Sequence, residues 1–431
     1  VMGVHCEVAM TSDEPAEDEL RMLDTNKGCM IDRLDDNSLF QIFTHLDYKN
    51  LLRCEQVNKR WRSITLMVWR SKRSIDVADV IRIRADSCDL AEDAIMEKCL
   101  AKTNYNVVSV TISDFEYESV GFDKVIVQHC PHLESLVSPE NVGLIYITEH
   151  CRYLKKLDVR GCDYIPEDEM KTLVLNCPHL EEFRIWCCPN IRFFKYLPRS
   201  LRVFEVEVLG LQDDVDNYIP ALCDNCPDMC ELYLDCLHIT PESLSCICEH
   251  MGQLRTLSFS FRGDDKTERR FQDLAKLARL KDLRLQMIEM SRSDFQMLQK
   301  CQGLQRLELD SITFTENDSL LSHLIKMINL EYLNLSLCDQ ISPEGLSYVS
   351  FIPRLRSITL FGSNVDDAGI EALLREATCL HTVDISHCSN ITVETFNHAH
   401  QYSLRRNIKL NLLTEGNNSQ SSNKYLKSTN S

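Results

Sequence analysis

The sequence predicts an α/β solenoid in which a ladder of parallel strands lines a concave face and helices form the convex face, behind a small three-helix domain. The first observation is the motif L-x-x-L-x-L, which Leu180, Phe183 and Ile185 form in the stretch CPHLEEFRI. The second is that copies of this motif follow one another at intervals of 21 to 28 residues. The third is a stretch from Ile31 to Trp69 in which the apolar residues have helical spacing.

The repeats are predicted to occupy residues 107–413. Their period and motif are typical of leucine-rich repeats, and we expect about twelve to thirteen of them. One short strand and its following helix cannot bury their apolar sides alone, so each repeat needs its neighbours to complete a core. The copies begin at Val107, Leu133, Leu154, Leu180, Leu201, Met229, Leu254, Leu280, Leu304, Leu330, Leu355 and Leu380.

Alternation within the motif predicts which side chains are buried. In the copy that begins at Leu330, we expect Leu333 and Leu335 to point inward. Tyr332 and Asn334 are then expected to point outward, because successive side chains of a strand lie on opposite faces. A buried aliphatic side chain contributes ~1.5 to 3 kcal/mol, so the inward row is the expected main source of stability.

Three prolines indicate where convex helices begin, because the first helical residue tolerates the loss of its N–H. They are Pro166, Pro241 and Pro343. Asp366 or Asp367 is expected to cap a further helix. Residues 71–106 form a linker in which Ile75 to Val77, followed by Ile81 to Ile83, can be a degenerate first strand. Leu404 to Leu412 is read as a last irregular copy, before a polar and disordered tail over residues 414–431.

Composition and charge narrow the function. A net charge of −18 argues against general binding to nucleic acid or anionic membranes, which normally needs a surplus of Lys and Arg. No run of about 18 apolar residues is present, and the start lacks the layout of a secretory signal, so we expect a cytoplasmic or nuclear protein. The first residue, Val1, suggests that the true start is further on, at Met2 or Met10.

The sequence lacks the motifs of common catalytic sites, including GxSxG, HExxH and the phosphate loop, so we expect no enzymatic activity and no cofactor. The 21 cysteines mostly recur at fixed repeat positions, and we interpret them as small buried residues. A zinc or iron–sulfur site is the alternative for one group, although the group lacks a second paired C-x-x-C. Its members are Cys223, Cys226, Cys230, Cys236, Cys246 and Cys248.

Residues 1–29 are acidic and without apolar periodicity, so we expect them to be disordered. Three short amphipathic helices are expected over residues 30–70, with Asp35 or Asp36 capping the first. The stretch LDDNSLFQIFTHLDYKNLLRCEQVNKRWRSI resembles an F-box, with Asp35 standing where that family usually has Pro. The positions that carry the resemblance are Leu34, Leu39, Ile42, Phe43, Leu46, Leu51, Val57, Asn58 and Trp61.

The repeats add a second resemblance. Cys-Pro precedes the strand in CPHLESL, CPHLEEF and CPDMCEL, as in the cysteine-containing leucine-rich repeats found behind F-boxes. The two resemblances together imply a substrate receptor of a Skp–cullin–F-box (SCF) ubiquitin ligase, which holds a target protein and catalyses nothing itself. The alternatives are a repeat scaffold or inhibitor without a ligase, helices that only cap the solenoid, and a redox or metal sensor.

The F-box resemblance implies that a Skp-type adaptor, and through it cullin and RING subunits, binds the apolar faces of the three helices. Trp61 is also a candidate core residue, because the helices need a core of their own. The residues expected to contact the adaptor are Leu34, Ile42, Phe43, Leu46, Leu51, Val57 and Trp61.

The target is expected on the concave face, at positions two, four and six after each motif start. A basic and aromatic patch there suits acidic or phosphorylated segments. It consists of Lys156, Arg160, Arg184 and Trp186. Pairing of these cations with Asp158 and Glu182 is the alternative explanation, and such surface pairs are worth only ~0 to 1 kcal/mol. Further candidates for target binding are Tyr233, Arg284, Arg306, Tyr332 and Phe361.

Overall fold

The structure is a computed structural model of the 431-residue chain, which divides into two compact units, Val1–Ser71 and Lys72–Ser431. The predicted disordered segment 1–29 lies outside the described residues, as does the predicted tail beyond residue 415. The structure describes residues 30–81, 92–112, 122–138, 143–160, 162, 165–188, 191–208, 215–261 and 270–415.

The first unit consists of short helices, as predicted. A 3-10 turn precedes them at Met30–Arg33, and each of the first two helices begins after an aspartate that satisfies its free backbone N–H groups. Asp35 accepts a hydrogen bond from Ser38 N at 2.6 Å, and Asp47 accepts one from Asn50 N at 2.7 Å. The three helices are α1 (Asp36–Thr44), α2 (Tyr48–Cys54) and α3 (Lys59–Ser71).

Aromatic side chains form much of the small core of this unit. Trp69 is fully buried, stacks on Tyr48 at 5.3 Å and donates its indole N–H to Glu55 at 2.9 Å. Phe43 is buried beneath the edge of Trp61, with ring centroids 5.0 Å apart. These contacts join α1, α2 and α3. A unit this small has little core, so it depends on such contacts for its stability.

The second unit is a parallel sheet whose strands neighbour one another in chain order. Fourteen strands of the described part of this unit form the main sheet, and β10 pairs only with β12. The strands are β1 (Ser74–Asp76), β2 (Ser109–Thr111), β3 (Ser135–Val137), β4 (Lys156–Val159), β5 (Glu182–Cys188), β6 (Val203–Val208), β7 (Glu231–Ile239), β8 (Thr256–Phe261), β9 (Asp282–Gln286), β10 (Glu289–Met290), β11 (Arg306–Asp310), β12 (Thr313–Phe314), β13 (Tyr332–Asn334), β14 (Ser357–Thr359), β15 (Thr382–Asp384) and β16 (Asn411–Leu413).

Helices connect most of these strands and pack against one side of the sheet. Short 3-10 segments replace the α-helix in several repeats, at Arg192–Tyr196, Leu274–Lys276 and Asp318–Lys326, and a further one at Val215–Asn217 precedes an α-helix. The α-helices are α4 (Val77–Ile81), α5 (Glu92–Lys102), α6 (Phe122–His129), α7 (Leu144–His150), α8 (Glu167–Asn176), α9 (Ile219–Asn225), α10 (Pro241–His250), α11 (Arg292–Leu298), α12 (Pro343–Val349), α13 (Asp367–Glu376) and α14 (Val393–Arg406).

This architecture confirms the predicted leucine-rich-repeat solenoid behind a three-helix domain. The first residue of every predicted motif copy, from Val107 to Leu380, is buried. Leu333 and Leu335 are fully buried, whereas Tyr332 and Asn334 are partly exposed, as alternation requires. Part of the predicted first strand is present as β1, which pairs with β2, whereas Val77 and Ile81 of that prediction lie in α4. The predicted last copy ends in β16, which pairs with β15.

The helices begin where the sequence predicts, with one exception. Pro241 and Pro343 are the first residues of α10 and α12, and the preceding hydroxyl side chains cap both helices. Asp366 caps α13 by accepting a hydrogen bond from Gly369 N at 2.9 Å. Pro166 instead occupies the position before α8, so its missing N–H lies outside the first turn.

Buried thiols connect successive repeats. The Cys388 thiol donates to the Leu360 carbonyl at 3.0 Å, and the Cys338 thiol donates to the Leu309 carbonyl at 3.4 Å. Burial raises the pKa of Cys177 to about 12, so this thiol stays protonated at neutral pH. Small buried cysteines therefore pack as weak donors between strands, in agreement with the interpretation drawn from their spacing.

Aspartates at helix starts form a second link between repeats. Asp318 lies in the 3-10 segment of one repeat and accepts hydrogen bonds from both the backbone N and the hydroxyl of Ser342, at 2.6 and 2.7 Å. Ser342 in turn caps α12 of the next repeat. The Asp318 carboxylate fills the space beside Gly345, where a Cβ would lie 2.6 Å from the Asp318 Cγ.

We predict that Gly345→Ala destabilises the second unit by about 1 to 3 kcal/mol, because the new methyl group meets a carboxylate held in place by Ser342. Gly252→Ala is the matched control, since a Cβ there meets no heavy atom within 4 Å. Thermal unfolding of the two variants measures the difference. Equal melting temperatures for both would contradict the proposed link through Asp318.

Candidate protein-interaction surfaces

The predicted adaptor-binding residues separate into exposed and buried groups. Ile42 on α1 is 42% exposed, and Val57, between α2 and α3, is 57% exposed. Leu34, Leu46 and Trp61 are partly exposed. Phe43 and Leu51 are buried inside the first unit, so the prediction that these two side chains contact the adaptor directly is wrong. In helices this short the same apolar spacing provides core and surface residues.

On the outer face of the sheet, meaning the face that carries the second, fourth and sixth motif positions, parallel register determines which side chains meet. Lys156 pairs in register with Glu182, and Asp158 pairs with Arg184, which pairs with Glu205 on the next strand. These residues belong to what we name the first charged cluster. Its members are Lys156, Asp158, Arg160, Glu182, Arg184, Trp186 and Glu205.

Glu205 is the centre of the first charged cluster. It is only 8% exposed. Its carboxylate lies 2.6 Å from Arg184 Nη1 and 3.5 Å from Arg160 Nη1, and it accepts the Trp186 indole N–H at 3.0 Å. The guanidinium of Arg160 also lies over the Trp186 ring, 5.3 Å from its centroid. One carboxylate therefore orients both arginines and the tryptophan.

Each of the three cations of the cluster also pairs with Asp158 or Glu182. Lys156 Nζ lies 3.0 Å from Glu182, Arg184 Nε lies 2.7 Å from Glu182, and Arg160 Nη2 lies 2.9 Å from Asp158. The expectation of a basic patch opposing the overall negative charge is therefore corrected. Pairing with Asp158 and Glu182, the alternative considered from the sequence, is the arrangement found, and Glu205 completes it.

The ion pairs shift the acidity of their members. Burial raises the pKa of Glu182, but hydrogen bonds from Arg184 and Lys156 outweigh it and hold that pKa below its usual 4.5. Burial lowers the pKa of Arg184, but Glu182 and Glu205 outweigh it and raise that pKa. Both groups therefore stay ionised at neutral pH.

A second charged cluster lies further along the outer face, from β7 to β13. Arg284 bridges Asp282 and Glu308 at 3.4 and 3.5 Å, and Arg306 bridges the same two carboxylates at 3.5 and 3.1 Å. Each arginine also covers an aromatic ring. Arg284 lies 5.3 Å from the centroid of Tyr233, and Arg306 lies 3.8 Å from that of Tyr332. These four candidates thus come together in pairs.

A small residue, Ser258, lies between Tyr233 and Arg284 and makes the contact between these two side chains possible. Tyr233, Ser258 and Arg284 share one row of the sheet, and Ser258 is almost completely buried. Because the serine side chain is short, Arg284 reaches across its strand to Tyr233. Burial raises the pKa of Tyr233 to about 12, with Glu231 adding to the effect, so the phenol keeps its proton. Sequence analysis missed the serine, since only cross-strand register reveals it.

Phe361 lies apart from both charged clusters, beyond the end of β14. Its ring is exposed and packs against the exposed ring of His387, 4.8 Å away between centroids. The outward residues on β14 and β15 around it are Ser357, Thr359, Thr382 and Asp384. This part of the outer face is therefore rich in hydroxyl and aromatic groups.

The candidate cysteine site is packed into the core. Cys223 and Cys226 are buried, and burial raises the pKa of both thiols, that of Cys226 to about 12. Cys230 and Cys246 are partly exposed, Cys248 is buried, and the side chain of Cys236 lies outside the described residues. Within the described ranges, three or more His, Cys, Asp or Glu side chains do not come together in a metal-binding arrangement.

Among the described helices, none is both long and apolar enough to span a lipid bilayer.

Together, the helical unit and the long parallel sheet define a repeat protein with an added helical module. Two families match the sequence. The F-box-like family matches residues 35–73, and the Leucine Rich repeat family matches residues 326–350. The chain therefore carries an F-box-like domain and leucine-rich repeats, the two modules predicted from the sequence.

Two curated relatives share parts of this sequence. F-box/LRR-repeat protein 12 of Arabidopsis thaliana is 34% identical over 93 residues, which cover 21% of this chain and 24% of that protein. EEED8.10 of Caenorhabditis elegans, whose name proposes that it binds RNA, is 22% identical over 372 residues, covering 81% of this chain and 49% of that protein. The chain thus spans about a quarter and about half of the length of these relatives.

Two solved structures are also similar. An internalin (inlF) from Listeria monocytogenes superposes with a TM-score of 0.43 and 14% identity, covering 79% of this chain and 88% of that chain. A chain of the yeast Rad7 and Elc1 complex superposes with a TM-score of 0.44 and 17% identity, covering 84% and 90%.

We predict that Arg184→Glu destabilises the second unit by on the order of 2 kcal/mol, because it places another carboxylate against the nearly buried Glu205. Arg356→Glu is the matched control, since its pair with Glu331 is 3.8 Å long and highly exposed. Chemical denaturation of both variants provides the comparison. An equally small effect at both positions would show that the first charged cluster is not a structural element.

The pH dependence of this cluster follows from Glu182, whose pKa is lowered on folding. Its contribution to stability is present above the unfolded pKa of about 4.5 and is lost as pH falls through the folded pKa. We therefore expect Glu182→Gln to lower the melting temperature at pH 7, and this difference from the wild type to shrink as the pH is lowered below 4.5. A difference that stays constant down to pH 3 would argue against the ion pairs.

Proposed function

We propose that this protein is the substrate-recognition subunit of an SCF-type ubiquitin ligase, in which the F-box-like domain binds a Skp-type adaptor and the repeats hold a target protein. One observation supports this best. The same chain contains an F-box-like match at residues 35–73 and a long repeat sheet whose outer face carries arginine and aromatic side chains. Cullin and RING subunits would join through the adaptor.

Adaptor binding is proposed to involve the apolar side chains that the first unit leaves exposed. Ile42 and Val57 have about half of their surface in water, and burial of such side chains against a partner contributes roughly 25 cal/mol per Å² of apolar area. Leu34, Leu46 and Trp61 are partly exposed and would extend this surface. Phe43 and Leu51 would support it from inside the unit.

The proposed contribution to ubiquitin transfer is proximity rather than chemistry. Holding a target lysine near a charged conjugating enzyme raises the effective concentration of the two reactants, and this does not require a catalytic group in the receptor. The target would then pass to the proteasome. We propose that this occurs in the cytoplasm, the nucleus or both.

The outer face is large enough for a protein target. Fourteen strands leave thirteen gaps of ~4.8 Å, or roughly 60 Å in all, which accommodates an extended segment or a small domain. Exposed aromatic and arginine side chains are the usual sources of binding energy at protein interfaces. Candidates of this kind remain Arg160, Arg184 and Trp186 in the first charged cluster, and Arg306 and Tyr332 in the second.

RNA binding, which the name of the C. elegans relative raises, is less well supported. Binding a phosphate backbone requires cations that can meet it. The arginines of both charged clusters are engaged with carboxylates, and the chain carries a net charge of −18. The geometry therefore favours a protein target over RNA.

We predict that the double variant Ile42→Glu and Val57→Glu loses the adaptor, with affinity reduced at least tenfold, because two carboxylates would be buried in an apolar interface. The measurement is co-purification of a Skp-type adaptor with the full chain, followed by titration. Met67→Glu is the matched control, since Met67 is also an exposed apolar residue of this unit outside the predicted surface.

Retention of the adaptor by the double variant would contradict the proposed binding surface. Absence of any adaptor or cullin from the purified wild-type chain would favour the alternative, a repeat scaffold that acts without a ligase. Circular dichroism of each variant provides the folding control, and the helical signal should be retained because the substituted residues are exposed.

A further inference from the structure

Five successive repeats turn out of the sheet through a left-handed residue at the same motif position, seven residues after the motif start. Only one of the five is a glycine. All five residues have a positive φ, a backbone conformation that residues other than glycine rarely adopt. The residues are Met287 (φ 52°), Ser311 (φ 54°), Leu337 (φ 55°), Gly362 (φ 63°) and His387 (φ 60°).

Hydrogen bonds between repeats hold these turns. The backbone N–H of each left-handed residue donates to a carbonyl of the following repeat. Leu337 N lies 2.8 Å from Phe361 O, Gly362 N lies 2.9 Å from Ser386 O, and His387 N lies 2.7 Å from Glu415 O. The turn is therefore repeated along the edge at which the strands end.

A residue other than glycine lowers the stability of such a turn. A left-handed conformation costs roughly 1 to 2 kcal/mol for most residues and almost nothing for glycine. Burial does not offset that cost here, because Met287 is 72% exposed and Leu337 is 50% exposed. Glycine would satisfy the backbone at both positions, so the large apolar side chains call for a role outside the fold.

The exposed side chains form a row. Leu337 extends over Gly362, with its Cδ2 only 2.7 Å from where a glycine Cβ would be, and Phe361 packs against His387. From β9 to β15 the row crosses four strand spacings of ~4.8 Å, or roughly 19 Å. We name this row the apolar edge and define it as Met287, Leu337, Phe361 and His387.

Carboxylates on strands that lead into the apolar edge have no basic partner among the described residues, namely Asp310 at the end of β11 and Asp384 at the end of β15. Asp310 accepts only the Ser311 hydroxyl at 2.9 Å, and Asp384 accepts only the backbone N–H of Ser386 at 2.9 Å. Glu415 follows β16 and is exposed. This contrasts with both charged clusters, where each arginine bridges acids. A ligand with cations would therefore find carboxylates at this edge that are open to pairing.

We propose that the apolar edge binds an extended target segment of about six residues in which apolar side chains alternate with Lys or Arg. An extended segment rises ~3.3 Å per residue, so six residues match the length of the row. The apolar side chains would contact Leu337 and Phe361, and the basic ones would reach Asp310 and Asp384. That this segment belongs to a ubiquitylation target rests on the function proposed above; the binding itself does not.

The test is a selection of random twelve-residue peptides displayed on phage against the purified full chain. We expect the selected sequences to combine Lys or Arg with apolar residues. A labelled selected peptide should bind at least tenfold more weakly to the double variant Leu337→Gly and Phe361→Ser. Its affinity for Asp384→Asn should fall and depend less on salt than its affinity for the wild type.

Phe351→Ser is the matched control, because Phe351 is 53% exposed in the same group of repeats but precedes β14 rather than following it. It should bind the peptide as the wild type does. Leu337→Gly should melt at the same or a higher temperature than the wild type, since glycine relieves the left-handed turn. The double variant Leu337→Gly and Phe361→Ser is melted in parallel, so that a loss of binding is distinguished from a loss of folding.

Selection of acidic or purely polar peptides, selection of none, or unchanged peptide affinity in Leu337→Gly and Phe361→Ser would overturn the inference. The adaptor titration is run on the same samples. Loss of peptide with the adaptor retained tests the apolar edge alone, whereas absence of adaptor binding in the wild type rejects the proposed ligase function and leaves the peptide result standing.

Discussion

Burial of one row of aliphatic side chains against the next is the interaction on which the second unit depends. Residues such as Leu283, Leu307 and Leu333 lie in register on β9, β11 and β13 and are fully buried. Because side chains alternate along a strand, a slip of one residue would expose the whole row, so the register is strongly specified. The same register determines which residues lie beside one another on the outer face, and the binding surface is therefore a consequence of the core.

That constraint explains the charges on the outer face. Rows of the sheet bring Arg184 between Asp158 and Glu205, and Arg284 beside Glu308, so arginines and acids neutralise one another across strands. Partly buried ion pairs add little net stability, because desolvation offsets much of their attraction. They do hold the arginines and the aromatic rings of Trp186 and Tyr332 in defined orientations. Recognition at these clusters would thus depend on shape as much as on charge.

The repeats and the helical unit could be predicted from the sequence, because their buried residues recur at regular intervals along it. The sequence did not predict features that depend on which residues of two different strands lie side by side. Glu205 carries no local signal, and its position under Arg184 follows only from the register of β5 and β6. Phe43 and Ile42 are adjacent apolar residues of one short helix, and only packing separates the buried one from the exposed one. Leu337 resembles an ordinary strand-end leucine, because its left-handed backbone lacks the glycine that would mark it.

The repeats differ in how they use this common framework. Each repeat depends mainly on its neighbours, so a change on the outer face or at a strand end affects stability locally and leaves distant repeats unaltered. The paired charges from β4 to β13 and the left-handed turns from β9 to β15 can therefore differ without disturbing the shared core. Strain at Leu337 is tolerated because its backbone hydrogen bond to Phe361 and the buried Leu335, which directly follows β13, hold the turn from both sides. A solenoid of this kind can concentrate costly side chains at one edge, where a partner rather than the fold would compensate for them.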